Sequence, residues 1–420
     1  MVPQVRMTVD ERRKYLRIMQ PRYLAAGRAE KSALLDEMEE VTGLHRKSLT
    51  RLLHSDLKRH KRQRERGAKY GPEVDEALAL ISKALDYVCA ERLYGGLLST
   101  AKLLAHHDAL ALSPQLRHKL EEISLSSVRR HAPGPADAPD RVARPQRRTQ
   151  TRWQQELPAG RIAWDIAEPG HFEVDVVHHC GAKAQGEYVY TLQLIDVATG
   201  WSERGAMLGR SHIVMADAFE TLLQRLPFPV RELHPDNGSE FLNDYVIPFL
   251  RERYPHLALS RSRPYRKNDN PHVEQKNRTL VRDFLGDWRF DTVQQTRYLK
   301  WLYEVMGPYY NFIQPVLHLV EKQWIPATEQ QPAHLHRKHD RARPPLERLC
   351  ETDVLTAEQQ ADLRAQRLAI NPLALRERIY QMIQHLLSYP GAKPGEVQNA
   401  YETLSQPELF SEAIAALADG

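Results

Sequence analysis

Apolar residues recur at helical spacing through the first third of the chain. Thr8 and Glu11 bracket a capping box, which starts a helix that runs to about Gln20 and is stopped by Pro21. Residues 29–41 form a second helix with Leu34, Leu35 and Met38 on one face, and Thr42-Gly43 makes a turn. A third helix, 44–57, turns Leu49, Leu52 and Leu53 inward and Arg46, Lys47, Thr50, Arg51 and His54 outward. Helix, short Gly turn and basic helix make the helix-turn-helix plan. A second helical stretch, 72–132, ends in a short basic helix at 124–131 with Ser127, Arg129 and Arg130, a weaker copy of that plan. Gly95-Gly96 reads equally as hinge or loop.

The period changes near residue 171. Strand patterns occupy 171–179, 187–196 and 201–208, separated by the turn pairs Cys180-Gly181 and Thr199-Gly200, as in a meander. A helix at 213–226, a strand at 230–234, a helix at 240–253 and a strand at 257–261 follow. The run 271–285 is a helix with Pro271 in its first turn and Val273, Leu280, Val281, Phe284 and Leu285 on its apolar face. Helical spacing continues at 293–312, 346–387 and 396–417. Three hairpin-linked strands followed by alternating helix and strand describe a mixed sheet packed with helices.

Charge sharpens this outline. Of 420 residues, the first 150 carry 29 basic and 19 acidic side chains, so the net charge of +5 gathers at the front. A basic front on a near-neutral body points to a polyanion docking there first. Residues 133–150 are Pro-rich and carry Arg141, Arg144, Arg147 and Arg148, an extended linker or a minor-groove arm. Three distant cysteines suit a reducing compartment, and the N-terminus lacks a signal-peptide apolar run, so a cytoplasmic protein is expected. No run of 18 apolar residues exists, and no membrane partner is expected.

Three carboxylates stand out. Asp175 is near the middle of the strand FEVDVV; Asp236 follows an apolar run in a Pro-Asp-Asn-Gly turn; Glu274 lies near the N-terminal edge of its helix's apolar face. The gaps are 61 and 38 positions. Hard oxygen ligands brought together by a sheet and a crossing helix can hold two divalent ions about 3.5–4 Å apart, the geometry of in-line phosphoryl transfer. Asp196, in Asp-Val-Ala-Thr-Gly, reads as turn chemistry instead. His178, His179 and Cys180 point to alternate faces of a strand and make a poor zinc set.

At these residues the chain resembles the bacterial insertion-sequence transposases with a retroviral-integrase-type catalytic core. The matching text is FEVDVVHHCG, YVYTLQLIDVATGW, HPDNGSEF and RSRPYRKNDNPHVEQKN. It covers about residues 165–325, and the second carboxylate gap is close to that of the family's DDE signature. The resemblance implies a multidomain α+β protein with N-terminal helix-turn-helix units, an RNase H-like mixed α/β core and a helical C-terminal region. The corresponding segments are 1–66, 67–132, a basic linker at 133–160, the core at 161–325 and a tail at 326–420.

It further implies that Asp175, Asp236 and Glu274 bind two Mg2+ ions, with Mn2+ able to substitute. The partner would be double-stranded DNA, as element ends and as target, bound by a dimer or tetramer; an ATPase helper is left open. Candidate DNA contacts are Arg46, Lys47, Arg51, Arg129, Arg130, Arg147 and Arg148 in the front half, and Arg263, Arg266, Lys267, Lys276 and Arg278 around Glu274. The basic runs 58–66 and 334–343 read either as phosphate-tracking segments or as solvated linkers. A nuclease without strand transfer and a repressor with an inactive core are the competing readings.

Overall fold

The computed structural model describes residues 7–57, 70–138, 159–160, 166–236, 241, 243–262, 271–325, 334–393 and 395–411. By compactness the chain forms two units, Met1–Lys69 and Tyr70–Gly420.

In the first unit, α1 (Val9–Ala25), α2 (Arg28–Thr42) and α3 (Arg46–Leu53) close around Leu16, Met38, Leu49 and Leu53. The capping box forms, with Glu11 N–H donating to Thr8 Oγ1 at 3.3 Å, and such caps contribute about 1 kcal/mol. Contrary to the sequence expectation, α1 runs through Pro21. The lost ladder bond is offset because the next turn buries Tyr23 against the bundle. Gly43, in the left-handed conformation at φ 66°, ends α2 and sets up the short turn into α3.

The second unit begins with α4 (Pro72–Ala84), α5 (Ala90–His106), α6 (Pro114–Glu122) and α7 (Leu125–His131). Gly95-Gly96 is neither hinge nor loop but mid-helix in α5. A Cβ on Gly95 would meet the Ala342 carbonyl oxygen at 2.2 Å, and one on Gly96 would meet Pro315 Cγ at 2.8 Å. The pair lets α5 approach the segment beyond the sheet closely. Tyr309 Oη donates to the Ala84 carbonyl at 2.7 Å, and buried Arg376 pairs with buried Asp86.

The unit is mixed α+β around a five-stranded sheet. Its strands are β2 (His171–His178), β3 (Val189–Asp196), β4 (Ser202–Leu208), β5 (Glu232–Pro235) and β6 (Ala258–Leu259), in spatial order β4-β3-β2-β5-β6. The first three make the expected antiparallel meander, and β5 and β6 add in parallel. The two-residue strand β1 (Ala159–Gly160) pairs separately with β7 (Arg261–Ser262), so the single strand expected at 257–261 is split. Asp196 is structural, as expected: its carboxylate accepts from Gly170 N and from Thr199 N and Oγ1.

Helix α8 (His212–Gln224) covers one face, with Leu222 against Gly205. Helix α9 (Val246–Arg253) starts later than the expected residue 240, because Pro248 tolerates only a first turn and Asn243 caps the N–H groups of Tyr245 and Val246. On the other face lies α10 (Pro271–Lys276), which continues as a π-helical segment (Asn277–Arg282) and α11 (Asp283–Leu285). Helix α12 (Val293–Pro308) also ends in a π-helical turn (Tyr309–Ile313).

Beyond it, β8 (Leu319–Ile325) and β9 (His334–His339) form an antiparallel ribbon; β9 falls in the basic run 334–343, where the sequence suggests a linker or phosphate-tracking segment. α13 (Pro345–Leu349), α14 (Ala357–Ala369) and α15 (Pro372–Ser388) complete the unit. Two 3-10 turns (Ala400–Thr403 and Pro407–Phe410) replace the helix expected from residue 396; residues 412–420 lie outside the described set.

Candidate active site

Strand β2 carries Asp175 and lies directly beside β5, which leads into Asp236. The parallel register pairs Val174 with Pro235. Asp175 and Asp236, each the next residue, therefore stand at one level of adjacent strands, with backbones roughly 5 Å apart. Asp175 is half-buried and Asp236 exposed. The Asn237-Gly238 turn and the Ser239 cap expected after Asp236 fall outside the described residues.

Helix α10, which holds Glu274 in its backbone, crosses β2 and β3. The helix is pinned to β2 at three levels. Val273 N–H donates to Glu173 Oε2 at 2.9 Å; Asn277 Nδ2 donates to Asp175 Oδ2; Arg282 donates to the His178 carbonyl at 2.6 Å. A fourth bond enters the π-helical segment, from Arg204 to the Leu280 carbonyl at 3.1 Å. The N–H that Glu173 holds belongs to Val273, the residue directly before Glu274.

Sequence reasoning misses Glu173 and Arg204. Cross-strand register places Asp175, Gln193 and Arg204 in one row on the α10 side, and Glu173 beside His234. Glu173 is only 1% exposed. The available signal is the alternation in Glu173-Val174-Asp175, which turns both acids to the same face. Arg204 has no comparable signal. Burial holds its guanidinium below the usual arginine range, and the Tyr303 ring lies 5.6 Å from it. Nearby, burial pushes His179 down to about 3, leaving a neutral imidazole bonded to Thr191.

The candidate DNA contacts are dispersed. Lys47 and Arg51 are exposed on α3, whereas Arg46 is paired with Asp36 and braces α2 against α3. Arg129 is ion-paired to Glu91 at 2.7 Å, and Arg130 bonds Ser126 and Ser127 within its own helix. Arg278 is exposed. Lys276 does not project into solvent as a phosphate contact would. It sits 5.1 Å over the Tyr310 ring, and desolvation, with the charges of Arg92 and Arg348, pushes its ammonium down to about 7. Arg147, Arg148, Arg263, Arg266 and Lys267 lie outside the described residues, as does the side chain of Glu274.

Among the described residues no three His, Cys, Asp or Glu side chains gather as a metal site. No described helix is long and apolar enough to cross a membrane.

No family model matches the sequence. The chain is 34% identical over 330 residues to the uncharacterized protein y4rM of Sinorhizobium fredii (strain NBRC 101917 / NGR234), an alignment spanning 77% of this chain and 92% of that protein. Among solved structures, the catalytic core domain of BIV integrase is 20% identical over 27% of this chain and 68% of its own. Its TM-score is 0.23.

Proposed function

The chain belongs to one family with the Sinorhizobium fredii protein y4rM, and from the placement of its carboxylates we propose that it is a DNA transposase with an RNase H-like core. The observation that carries this reading is the β2–β5 register, which levels Asp175 with Asp236 under the helix that bears Glu274. The quoted integrase-type motifs support it on the sequence side.

Asp175, Asp236 and Glu274 are the residues that would hold two Mg2+ ions, for which an all-carboxylate donor set is suited. Bound there, such ions supply Lewis-acid charge stabilisation for in-line transfer at phosphorus. The chain's own work is placement. Strands β2 and β5 fix two of the acids, while Glu173 and Asn277 fix the helix carrying the third. The reaction would cut an element end and join its 3′-hydroxyl to target DNA. Exposed Lys47 and Arg51 on α3, following the Gly43 turn, support end recognition by a helix-turn-helix. Joining two ends needs two such acid sets, hence at least a dimer.

The test incubates labelled element ends with the protein, Mg2+ and a plasmid target. Joined products support the reading. Cleavage without joining favours the nuclease, and end binding with neither favours the repressor.

A further inference from the structure

The α8 side of the sheet holds a cavity of about 420 Å³ to which the transposase reading gives no role. Its floor comes from the start of β4 and from the π-helical turn Tyr309–Ile313, where Trp201 and Phe312 pack with ring centroids 5.8 Å apart. Helix α14 closes one side with buried Leu363 and exposed Asp362. The floor is braced, since Asn311 accepts from Ser202 N at 2.9 Å and donates to the Ser202 carbonyl at 3.0 Å. Small-molecule sites span about 300–1,000 Å³, and this volume falls among them. A π-helical turn is also a frequent mark of a functional site.

Glu203 is the acid on that floor, half-buried. Among the described residues it accepts one hydrogen bond, from Trp201 Nε1 at 2.9 Å, and forms no ion pair. A carboxylate can accept several bonds, so most of its capacity is open to a ligand. The nearby cations are engaged elsewhere: Arg225 with Glu304 at 2.7 Å, and Arg204 with the Leu280 carbonyl on the opposite face of the sheet. Asp362 has an amide for its partner, Gln366 at 2.8 Å, and no cation. The cavity thus offers two unneutralised carboxylates, one deep and one at the rim, with aromatic and aliphatic walls. An acid taken out of water is costly until a cation pairs with it. Two separated acids with apolar surface call for a ligand that is cationic at two points and apolar between them.

We propose that this cavity binds an aliphatic polyamine, with one ammonium on Glu203 beside the Trp201 and Phe312 rings, another on Asp362, and the methylene chain along Leu363. Ammonium groups supply the donors that both carboxylates lack, and aromatic rings favour a cation further. Glu203 pairs with Leu194 across the strands and faces away from α10, so the site is separate from Asp175, Asp236 and Glu274.

The experiment is isothermal titration of the full-length, DNA-free protein with spermidine at physiological salt and pH 8, where the Glu203 carboxyl is ionised. Saturable binding at one site per chain is expected, with a melting temperature that climbs with spermidine concentration. Glu203→Gln keeps an acceptor for Trp201 but loses a charge-assisted hydrogen bond, so affinity should drop about tenfold or more. Asp362→Asn should weaken binding several-fold, and the double variant should show none. Glu40→Gln, which removes an exposed acid on α2, should bind as the wild type does. Absence of saturable binding overturns the proposal, as do wild-type affinities in both cavity variants with wild-type circular dichroism. Equal weakening by Glu40→Gln also overturns it, because spermidine would then be following net charge alone. No DNA or joining step enters the measurement, so its outcome and that of the transposase reading are decided separately.

Discussion

The two faces of the central sheet are both buried, yet they are built from opposite chemistry. Toward α8 the strands present Phe172, Val174, Leu192, Leu194 and Met207, which are essentially fully buried. Toward α10 they present Glu173, Asp175, Thr191, Gln193 and Arg204. Burying apolar side chains stabilises a fold by about 1.5–3 kcal/mol each. Burying polar ones costs free energy unless every group finds a partner. The α10 face does not meet that condition in full: Gln193 has no side-chain partner among the described residues, and one Arg204 nitrogen has none. A fold selected only for stability would not keep such a row. Its return is position, since Glu173, Asp175 and Arg204 all bond the helix that carries Glu274.

The comparison breaks most sharply at the acids. Asp175→Asn and Asp236→Asn keep side-chain shape and remove a charge, so strand transfer should fall by more than about a hundredfold, beyond the usual loss from a supporting group. DNA binding and melting temperature should hold. A gel of joined products beside a binding titration reads both, and near wild-type joining by either variant ends the catalytic assignment. The α8 face should behave inversely. Leu192→Ala, between Val176 and Gly205, should lose about 2–5 kcal/mol in denaturant unfolding while the folded fraction joins ends at the wild-type rate.

Much of this contrast was legible in the sequence. Strand alternation and turn pairs gave the meander, and hydrophobic spacing gave α8, α12 and the Glu274 helix. Asp196 was rightly read as turn chemistry because its neighbours Thr199 and Gly200 complete the turn. What stayed hidden depends on contacts distant in sequence. Arg204 looks like an ordinary polar strand residue until Leu280 comes to meet it, 76 positions on. The π-helical segments at Asn277–Arg282 and Tyr309–Ile313 escape because one widened turn barely alters an apolar period. The β8–β9 ribbon was hidden by composition: alternating His, Arg and Lys carries no apolar face to mark a strand.

Glu173 tests whether position, rather than burial alone, is what the polar face provides. Glu173→Ala leaves the Val273 N–H buried without its acceptor, a loss of about 1–3 kcal/mol. Joining should drop roughly tenfold to a hundredfold, and more Mg2+ should be needed for half-maximal rate. Glu173→Gln restores an acceptor and should recover most of both. Because α8-face variants should lose stability without shifting the Mg2+ requirement, that requirement is the discriminating measurement. If Glu173→Ala lowers stability but leaves the Mg2+ midpoint in place, Glu173 is a core residue and not a positioning one.

The smallest effect concerns Glu203, an acid on the α8 side of the sheet. Glu203 pairs with Leu194 across the strands, accepts from Trp201 Nε1 at 2.9 Å and borders a cavity of about 420 Å³ beside Phe312 and Leu363. Desolvation pushes its carboxyl up to about 7, against the lowering effects of the Trp201 bond and of Arg225 and Arg204. Between the ordinary carboxylate range and pH 7, the folded chain therefore holds a proton that the unfolded chain has released. Stability must fall as pH rises through that window, since ionisation favours the unfolded state. Glu203→Gln removes the titration and keeps an acceptor for Trp201. The variant should melt at the wild-type temperature near pH 4, where both side chains are neutral, and above it at pH 8, the gap opening between about pH 5 and 7. Joining activity should be unaffected, because Glu203 faces away from α10. A gap that is constant with pH would show that Glu203 titrates alike in the folded and unfolded chain, and that even the apolar face tolerates a charge at its edge.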